Sequence, residues 1–323
     1  MRSVVLNDDK VCVIETEKPL IADKGAIIKV EACGLCGSDL VKIREHAKNI
    51  KLGHEVVGKI VEIDSNTAFK IGDKVALGHH YPCFECDFCQ HGHHSQCQHF
   101  KNTNIEPCGF SDYIYVTEGH LENTVFKVPE NMTTETASFL EPLACCVRSV
   151  RCANLFERSR VLVIGLGSIG LLMGQAVKAY GHNVTGLDLI DERVKIAKKY
   201  NFDRTFNLNE YEIKREYDAI FMTSGADKAI DTALQTVKNG GKIVVFSSTP
   251  KNFGYANNEI YYRELTIMGS YSPAPCDLKE SMRLLSEKKV TVENLSTVYS
   301  VENINNAISD TINNKILKAL IKL

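Results

Sequence analysis

Cys83, Cys86, Cys89 and Cys97 lie in one short stretch, with two residues between each of the first three and seven before the last. Four thiolates on one loop match the tetrahedral, all-protein coordination of a structural zinc, which leaves no position open to a substrate. The surrounding residues, 81–108, are rich in turn formers and poor in apolar periodicity, so a bound metal would supply folding free energy that a core does not. A redox cluster, free thiols or an iron–sulfur centre would use the same ligand type. The histidines nearby, His79, His80, His91, His93, His94 and His99, read as solvated loop residues. A second set is dispersed. Cys36 lies between Gly34 and Gly37, His54 and Glu55 follow Gly53, and Glu141 precedes Pro142. Sulfur, nitrogen and oxygen donors together suit Zn²⁺, and three protein ligands with one open position would make the site catalytic. Spacing alone leaves the plainer alternative open, in which Cys36 is a small buried hydrophobe and the others are core or surface residues.

A third group points to a nucleotide. Residues 161–164 (VLVI) form a β-branched apolar run that suits a strand buried on both faces. Gly165, Gly167 and Gly170 follow in G-x-G-x-x-G spacing, and a helical run opens at Ser168 and Ile169 inside that loop. Such glycines permit a tight turn, close backbone approach to a pyrophosphate and close packing of helix on strand. The helix N-terminus offers unpaired N–H groups and partial positive charge to phosphates. Asp188 ends the next strand 18 residues after Gly170, where an acid would take the ribose hydroxyls of a dinucleotide. The plainer reading is a doubly wound domain whose glycines only make a turn.

The elements that must carry these groups fall into two patterns. Strand-like runs at 4–6, 11–14, 26–32 and 56–63 alternate with turn signals, another turn and strand follow at 70–76, and strand character returns at 109–116 and 125–128. From about residue 133 helices take over. Residues 133–154 read as one or two helices capped at Thr133 or Thr134, with Pro142 breaking the pattern. Helices at 192–200 and 228–237 then alternate with strands at 205–207, 219–223, 242–247 and 265–269, which implies a parallel sheet with right-handed crossovers. Helices at 278–287 and 301–310 and a strand at 318–321 close the chain. The fold class is α/β: a mainly β domain built from 1–141 and 273–323, and a Rossmann-type doubly wound domain over 142–272, with a cleft expected between them.

Composition narrows the function. The chain has 323 residues, 44% hydrophobic and 24% charged, which is material for two globular domains. The 38 basic and 40 acidic residues give a formal net charge of −2, which argues against a broad nucleic-acid surface or an anionic membrane footprint. No apolar run is long enough for a membrane span, and the first residues lack the apolar centre of a secretory signal. A cytoplasmic location is expected, where clustered cysteines read as metal ligands before disulfides.

The motifs CGLCGSD, LGHE, the four-cysteine loop, EPLA and GLGSIG stand in an order and spacing that resemble the zinc-dependent medium-chain alcohol dehydrogenases, and most of all their polyol dehydrogenase branch. The resemblance covers nearly the whole chain. It implies a GroES-like catalytic domain before the Rossmann domain, and two zinc ions per chain. Cys36, His54 and Glu55 would surround the catalytic ion, with Glu141 binding it directly or through water. Cys83, Cys86, Cys89 and Cys97 would hold the structural ion. Asp188 matches the ribose-binding acid of NAD-dependent members, and Arg193 a basic residue that flanks the adenosine. Hydride would pass between a secondary alcohol of a polyol or sugar derivative and NAD, with Ser38 relaying the alcohol's proton. A sugar-alcohol phosphate dehydrogenase or a threonine-type amino-alcohol dehydrogenase is the alternative, and a zinc-stapled nucleotide-sensing protein the non-enzyme one. Relatives are dimers or tetramers, so a homo-oligomer is expected. The chain departs from the family at Val41, where many members have a relay histidine, and in the short segment 40–52. Lys42, Arg44, His46, Lys48 and Lys51 crowd that segment. They read as a solvated basic face or, with Arg148, as contacts for an anionic substrate group.

Overall fold

A computed structural model of the chain describes residues 1–7, 10–45, 50–248 and 257–323. Among these residues the chain divides into two units, Met1–Ala144 with Pro273–Ser286 and Val292–Leu323, and Cys145–Ser272 with Glu287–Thr291. No helix among them is long and apolar enough to cross a membrane.

The first unit opens with strands β1 (Arg2–Asn7), β2 (Lys10–Glu15) and β3 (Gly25–Gly34), then helix α1 (Gly37–Arg44) and strands β4 (Glu55–Asp64) and β5 (Lys74–Leu77). Short helices α2 (Asp87–Gln90) and α3 (Gln98–Asn102) belong to the cysteine lobe. Strand β6 (Tyr113–Thr117), helix α4 (Glu118–Asn123), strand β7 (Val125–Lys127) and helices α5 (Thr134–Ala137) and α6 (Leu140–Ala153) follow. The boundary between the units falls within α6. The second unit continues through β8 (Arg160–Ile164), α7 (Ser168–Ala179), β9 (Asn183–Asp188), α8 (Asp191–Ala197), β10 (Arg204–Asn207), β11 (Tyr217–Met222), α9 (Asp227–Thr236), β12 (Val237–Val245), α10 (Asn257–Arg263) and β13 (Thr266–Gly269). The chain then returns to the first unit with α11 (Pro275–Ser286), β14 (Ser296–Ser300), α12 (Ile304–Ile312) and β15 (Lys318–Lys322).

In the first unit the main sheet runs β14-β15-β3-β4-β5-β7, with β6 also on β3. Strand β3 is its centre, antiparallel to β15, β4 and β6. Ile28, Ile60, Phe110, Ile114, Ile304 and Ile321 form part of one buried core. Burying each such side chain stabilises by roughly 1.5–3 kcal/mol, which fixes the strand order that delivers Gly34, Glu55 and Lys318 to one place.

The second unit's sheet is parallel throughout, in the order β10-β9-β8-β11-β12-β13. With β8 counted as first, this is the Rossmann order 3-2-1-4-5-6, whose strand order reverses beside β8. Val161, Leu162, Val163 and Ile164 are all buried, as a strand covered on both faces requires.

Several local expectations change. Pro142 does not break a helix. It occupies the first turn of α6, where a missing N–H costs nothing, and the interruption comes earlier, between α5 and α6. Thr133 is the N-cap of α5, accepting from Thr136 N. The sequence Asn239-Gly240-Gly241 suggests a turn that ends the helix at 228–237, but both glycines fall inside β12, where the register with β11 shifts. Helices α1, α4 and α10 and strand β14 were not foreseen.

Candidate functional site

Cys36 is the N-cap of α1. Asp39, fully buried in that helix's first turn, accepts from Cys36 N at 3.1 Å through Oδ2 and from Gly53 N at 3.0 Å through Oδ1. The same Oδ1 lies 3.6 Å from His54 Nδ1. One carboxylate therefore ties the Cys36 turn to the segment that carries His54. Burial would raise the pKa of Asp39, but His54 and the two backbone N–H groups bring it below the usual carboxylate value. Burial likewise opposes charge on His54, yet Asp39 and Cys36 together hold its pKa well above the usual histidine value. Histidines that ligate metals commonly present one ring nitrogen to a carboxylate in this way and leave the other for the ion. Asp39 was not singled out from the sequence. Its signal was a short acid three residues after Cys36, at the end of CGLCGSD.

Glu55 opens β4 and is 1% exposed. Its Oε1 accepts from Lys318 Nζ at 2.6 Å. Oε2 lies 2.5 Å from the same nitrogen, so the ammonium contacts both oxygens of the carboxylate. Ligand atoms of Cys36, His54 and Glu55 lie within 4.8 Å of one another. Thiolate, imidazole and carboxylate donors at that spacing fit a zinc ion. Glu141, the second residue of α6, is buried but does not belong to that 4.8 Å group. Its carboxylate acts on Lys318, whose pKa is raised. Ser281 Oγ donates to Leu140 O at 2.7 Å and fixes the start of α6 beside Glu141. Ser38 is exposed in the first turn of α1.

The second group, Cys83, Cys86, Cys89 and Cys97, also falls within 4.8 Å. Sulfur separations are 3.9 Å for Cys83–Cys89, 3.6 Å for Cys86–Cys89 and 3.4 Å for Cys83–Cys97. Zinc–sulfur bonds of about 2.3 Å in a tetrahedron place sulfurs about 3.8 Å apart, so the cage fits that ion. Burial, then the neighbouring thiols, push Cys89 up to about 12. On Cys97 burial is outweighed by N–H groups of Cys83 and Phe100, which bring it down to about 6. Crowded thiols that resist sharing negative charge are the arrangement a divalent cation relieves.

His79 and His80 are not solvated. Their ring centroids are 3.9 Å apart, with His79 4.7 Å from His54 and His80 4.9 Å from Phe100. Burial, with His54 next, lowers His79 well below the usual histidine value, and burial lowers His80 to about 4. His91, His93 and His99 are exposed, as expected of loop residues, although His99 packs edge-on against Tyr81.

In the second unit, Gly165 has φ +99° and donates to Leu187 O at 2.8 Å. A Cβ on Gly170 would meet Gly165 O at 1.8 Å, whereas one on Gly167 would meet nothing within 4 Å. The loop is thus packed tight beneath the helix and open at its tip. Gly167 is the N-cap of α7 with no side-chain cap, so the N–H groups after Ser168 and Ile169 have no side-chain acceptor there. Asp188 accepts from Leu166 N at 2.6 Å and from Ile190 N at 2.9 Å, and Arg193 lies 3.8 Å from it. These bonds hold the carboxylate at the strand end and use two of its roughly four lone-pair sites. An anionic pyrophosphate and a ribose diol fit this loop, helix end and acid.

Of the basic residues in segment 40–52, Lys42 donates to Lys51 O at 3.3 Å, Lys51 pairs with Glu106, and Arg44 is exposed. His46 and Lys48 lie outside the described residues. Arg148 is on α6 in the second unit.

Comparison with known proteins gives two family matches, an alcohol dehydrogenase GroES-like domain over residues 22–130 and a zinc-binding dehydrogenase over residues 168–287. The chain is 30% identical to a sorbitol dehydrogenase of Halalkalibacterium halodurans over 290 residues, 84% of this chain and 83% of that protein. It is 31% identical to the galactitol 1-phosphate 5-dehydrogenase of Escherichia coli K12 over 320 residues, 91% of each. The crystal structure of galactitol-1-phosphate dehydrogenase from Escherichia coli superposes with a TM-score of 0.87 at 28% identity and covers 100% of both chains.

Proposed function

Because the chain belongs to the zinc-binding dehydrogenase family with a GroES-like alcohol dehydrogenase domain, we propose that it oxidises a secondary alcohol of a polyol or sugar derivative with NAD, and reduces the ketone in reverse. The grouping of Cys36, His54 and Glu55 within 4.8 Å carries this reading. When bound, zinc supplies Lewis acidity toward an alcohol oxygen, and NAD takes the hydride. Cys36 and His54 hold the metal, with Glu55 and Glu141 as the carboxylates beside it. Asp39 orients His54 so that Nδ1 faces the carboxylate and the other nitrogen is free to donate. Ser38 receives the alcohol's proton two residues from Cys36. Val41, one turn further along α1, has no group to carry it onward. Cys83, Cys86, Cys89 and Cys97 hold the second zinc, which staples the lobe. The catalytic domain comprises 1–141 and 273–323, and the NAD domain 142–272.

The test is a panel of plain polyols, phosphorylated polyols, simple alcohols and amino alcohols, followed by NADH absorbance at two zincs per chain. Turnover of a polyol supports the reading, and no turnover with any member at full zinc occupancy overturns it. A preference of roughly tenfold or more for phosphorylated polyols selects the sugar-alcohol phosphate alternative, since a tenfold ratio corresponds to about 1.4 kcal/mol of differential binding. Relatives of both kinds are known. Lys42 and Arg44, on α1, would then carry the phosphate.

Cofactor choice rests on Asp188. A fixed carboxylate repels a 2′-phosphate, and Leu189 and Ile190, both exposed, supply no cation after it. Asp188→Ala should lower kcat/KM for NAD by roughly tenfold or more and shift the NAD/NADP ratio toward NADP, since a hydrogen bond to a charged group contributes about 1.5–3 kcal/mol. An unchanged ratio would remove Asp188 from the assignment. The protein acts in the cytoplasm as a homodimer or homotetramer. Supporting that assembly, β13 is an edge strand with exposed Tyr261, Tyr262 and Tyr271 around it.

A further inference from the structure

Thr223 follows β11, the strand beside β8 on the side away from β9. Its N donates to Ile164 O at 3.0 Å, which carries the pairing of β11 with β8 to the last residue of β8. Its hydroxyl reaches one residue further. Thr223 Oγ1 lies 2.8 Å from Gly165 O and 3.2 Å from Ile164 O, and its one proton is directed to the nearer of them, Gly165 O. The N–H of the same peptide group, that of Leu166, donates to Asp188 Oδ2 at 2.6 Å. Carbonyl and N–H of a trans peptide point in opposite directions. The peptide after Gly165 is therefore held at both ends, by a hydroxyl that follows β11 and a carboxylate at the end of β9.

Gly165 does not settle the orientation of that peptide by itself. Its φ is +99°, and glycine adopts either sign of φ readily, so bonds from outside the loop must choose. The choice matters beyond the turn. A Cβ on Gly170 would meet Gly165 O at 1.8 Å and Thr223 Oγ1 at 3.1 Å, so carbonyl, hydroxyl and the first turn of α7 pack as one unit. A reversed peptide would turn the carbonyl oxygen toward the Asp188 carboxylate and pull the loop away from the helix end that receives phosphates. We propose that Thr223 is a positioning residue for the dinucleotide: with Asp188 it locks the peptide after Gly165, so that the glycine loop meets the pyrophosphate already shaped. The inference rests on the NAD reading above. A loop ordered during folding does not have to be ordered on binding. Asp188 thereby has a second task, since the acid that takes the ribose also fixes the loop.

The effect should be confined to ligands that carry a pyrophosphate. Thr223→Val keeps the shape of the side chain and removes the hydroxyl. In that variant the Kd for NADH, read by its fluorescence, should rise about tenfold, because a carbonyl deprived of its donor no longer holds the loop. The Ki of ADP-ribose against NAD should rise by about the same factor, while that of adenosine, held at Asp188, should stay within about twofold. KM for NAD should rise about tenfold with kcat at saturating NAD within about twofold of the parent, the mark of lost binding rather than lost chemistry. Thr223→Ser, which returns the hydroxyl, should restore each value. A substitution that merely loosened the domain would weaken adenosine as much as ADP-ribose. If Thr223→Val binds NADH and ADP-ribose as tightly as the parent, if adenosine weakens in step with ADP-ribose, or if Thr223→Ser fails to restore binding, the proposal is wrong. Should Thr223→Val not fold, Thr223→Ala removes the same donor and is judged by the same outcomes. A parent that binds neither NADH nor ADP-ribose defeats the NAD reading instead, so the two failures are distinguishable.

Discussion

Cys36→Ala should lower kcat/KM for the polyol substrate by roughly a thousandfold, because Lewis-acid stabilisation of developing charge is worth several kcal/mol and each 1.36 kcal/mol is tenfold in rate. The removed sulfur sits at the N-cap of α1, whose turn is also held by Asp39. The bonds from Asp39 to Cys36 N and Gly53 N run through main-chain atoms and survive the substitution. Zinc analysis should find one ion per chain instead of two, with the melting temperature within a few degrees of the parent. The measurement is kcat/KM by NADH absorbance alongside zinc content. Activity within tenfold of the parent, at one zinc per chain, would remove Cys36 from the catalytic set.

Cys97→Ser should have the opposite profile, with a large structural effect and a smaller chemical one. The lobe's local cluster is Cys89, Cys97 and Phe100 with Cys83 and Cys86 packed against it, so its ligands are also most of its core. Structural zinc supplies on the order of 10–16 kcal/mol in small isolated domains at neutral pH. Part of that is lost with one thiolate, and the melting temperature should fall by roughly 10 °C. Hydrogen exchange should rise across residues 81–108, while the catalytic zinc and Cys36 chemistry remain. Exchange in the lobe equal to that of the parent would mean that the four cysteines do not staple it. Together the two variants separate the ions by function.

The two sites were legible in the sequence to different degrees, for physical reasons. The Cys83–Cys97 group was readable because its ligands are neighbours in the chain, so spacing is geometry. The dinucleotide loop was readable because strand, glycines, helix and acid follow one another within about thirty residues, as the motif requires. Cys36, His54 and Glu55 were candidates by donor type alone, and it took the resemblance to join them around one ion. What brings them together is Asp39, a lone acid in a turn with no pattern of its own. Helix α1 was missed because CGLCGSD looks like a loop, and its glycines hide the capping geometry. His79 and His80 looked solvated because Gly-His-His-Tyr-Pro reads as a turn, whereas tertiary packing puts their rings against His54 and Phe100. Lys318 was invisible. In Lys-Ala-Leu-Ile-Lys it resembles the charge that ends a strand, and its partner is 263 residues away.

That separation also orders events during synthesis. Strand β15 bonds to β3, and Lys318 reaches Glu55, only after the stretch of 263 residues between the pair has been made. Residues 145–272, whose parallel sheet draws its strands from one continuous stretch, can fold while translation proceeds. The residues around Cys36 and Glu55 must wait with an open sheet edge at β3. An ion arriving early would meet Cys36, His54 and Glu55 without their ammonium neighbour. The strand that carries Lys318 is therefore the one that completes the surroundings of Cys36, His54 and Glu55.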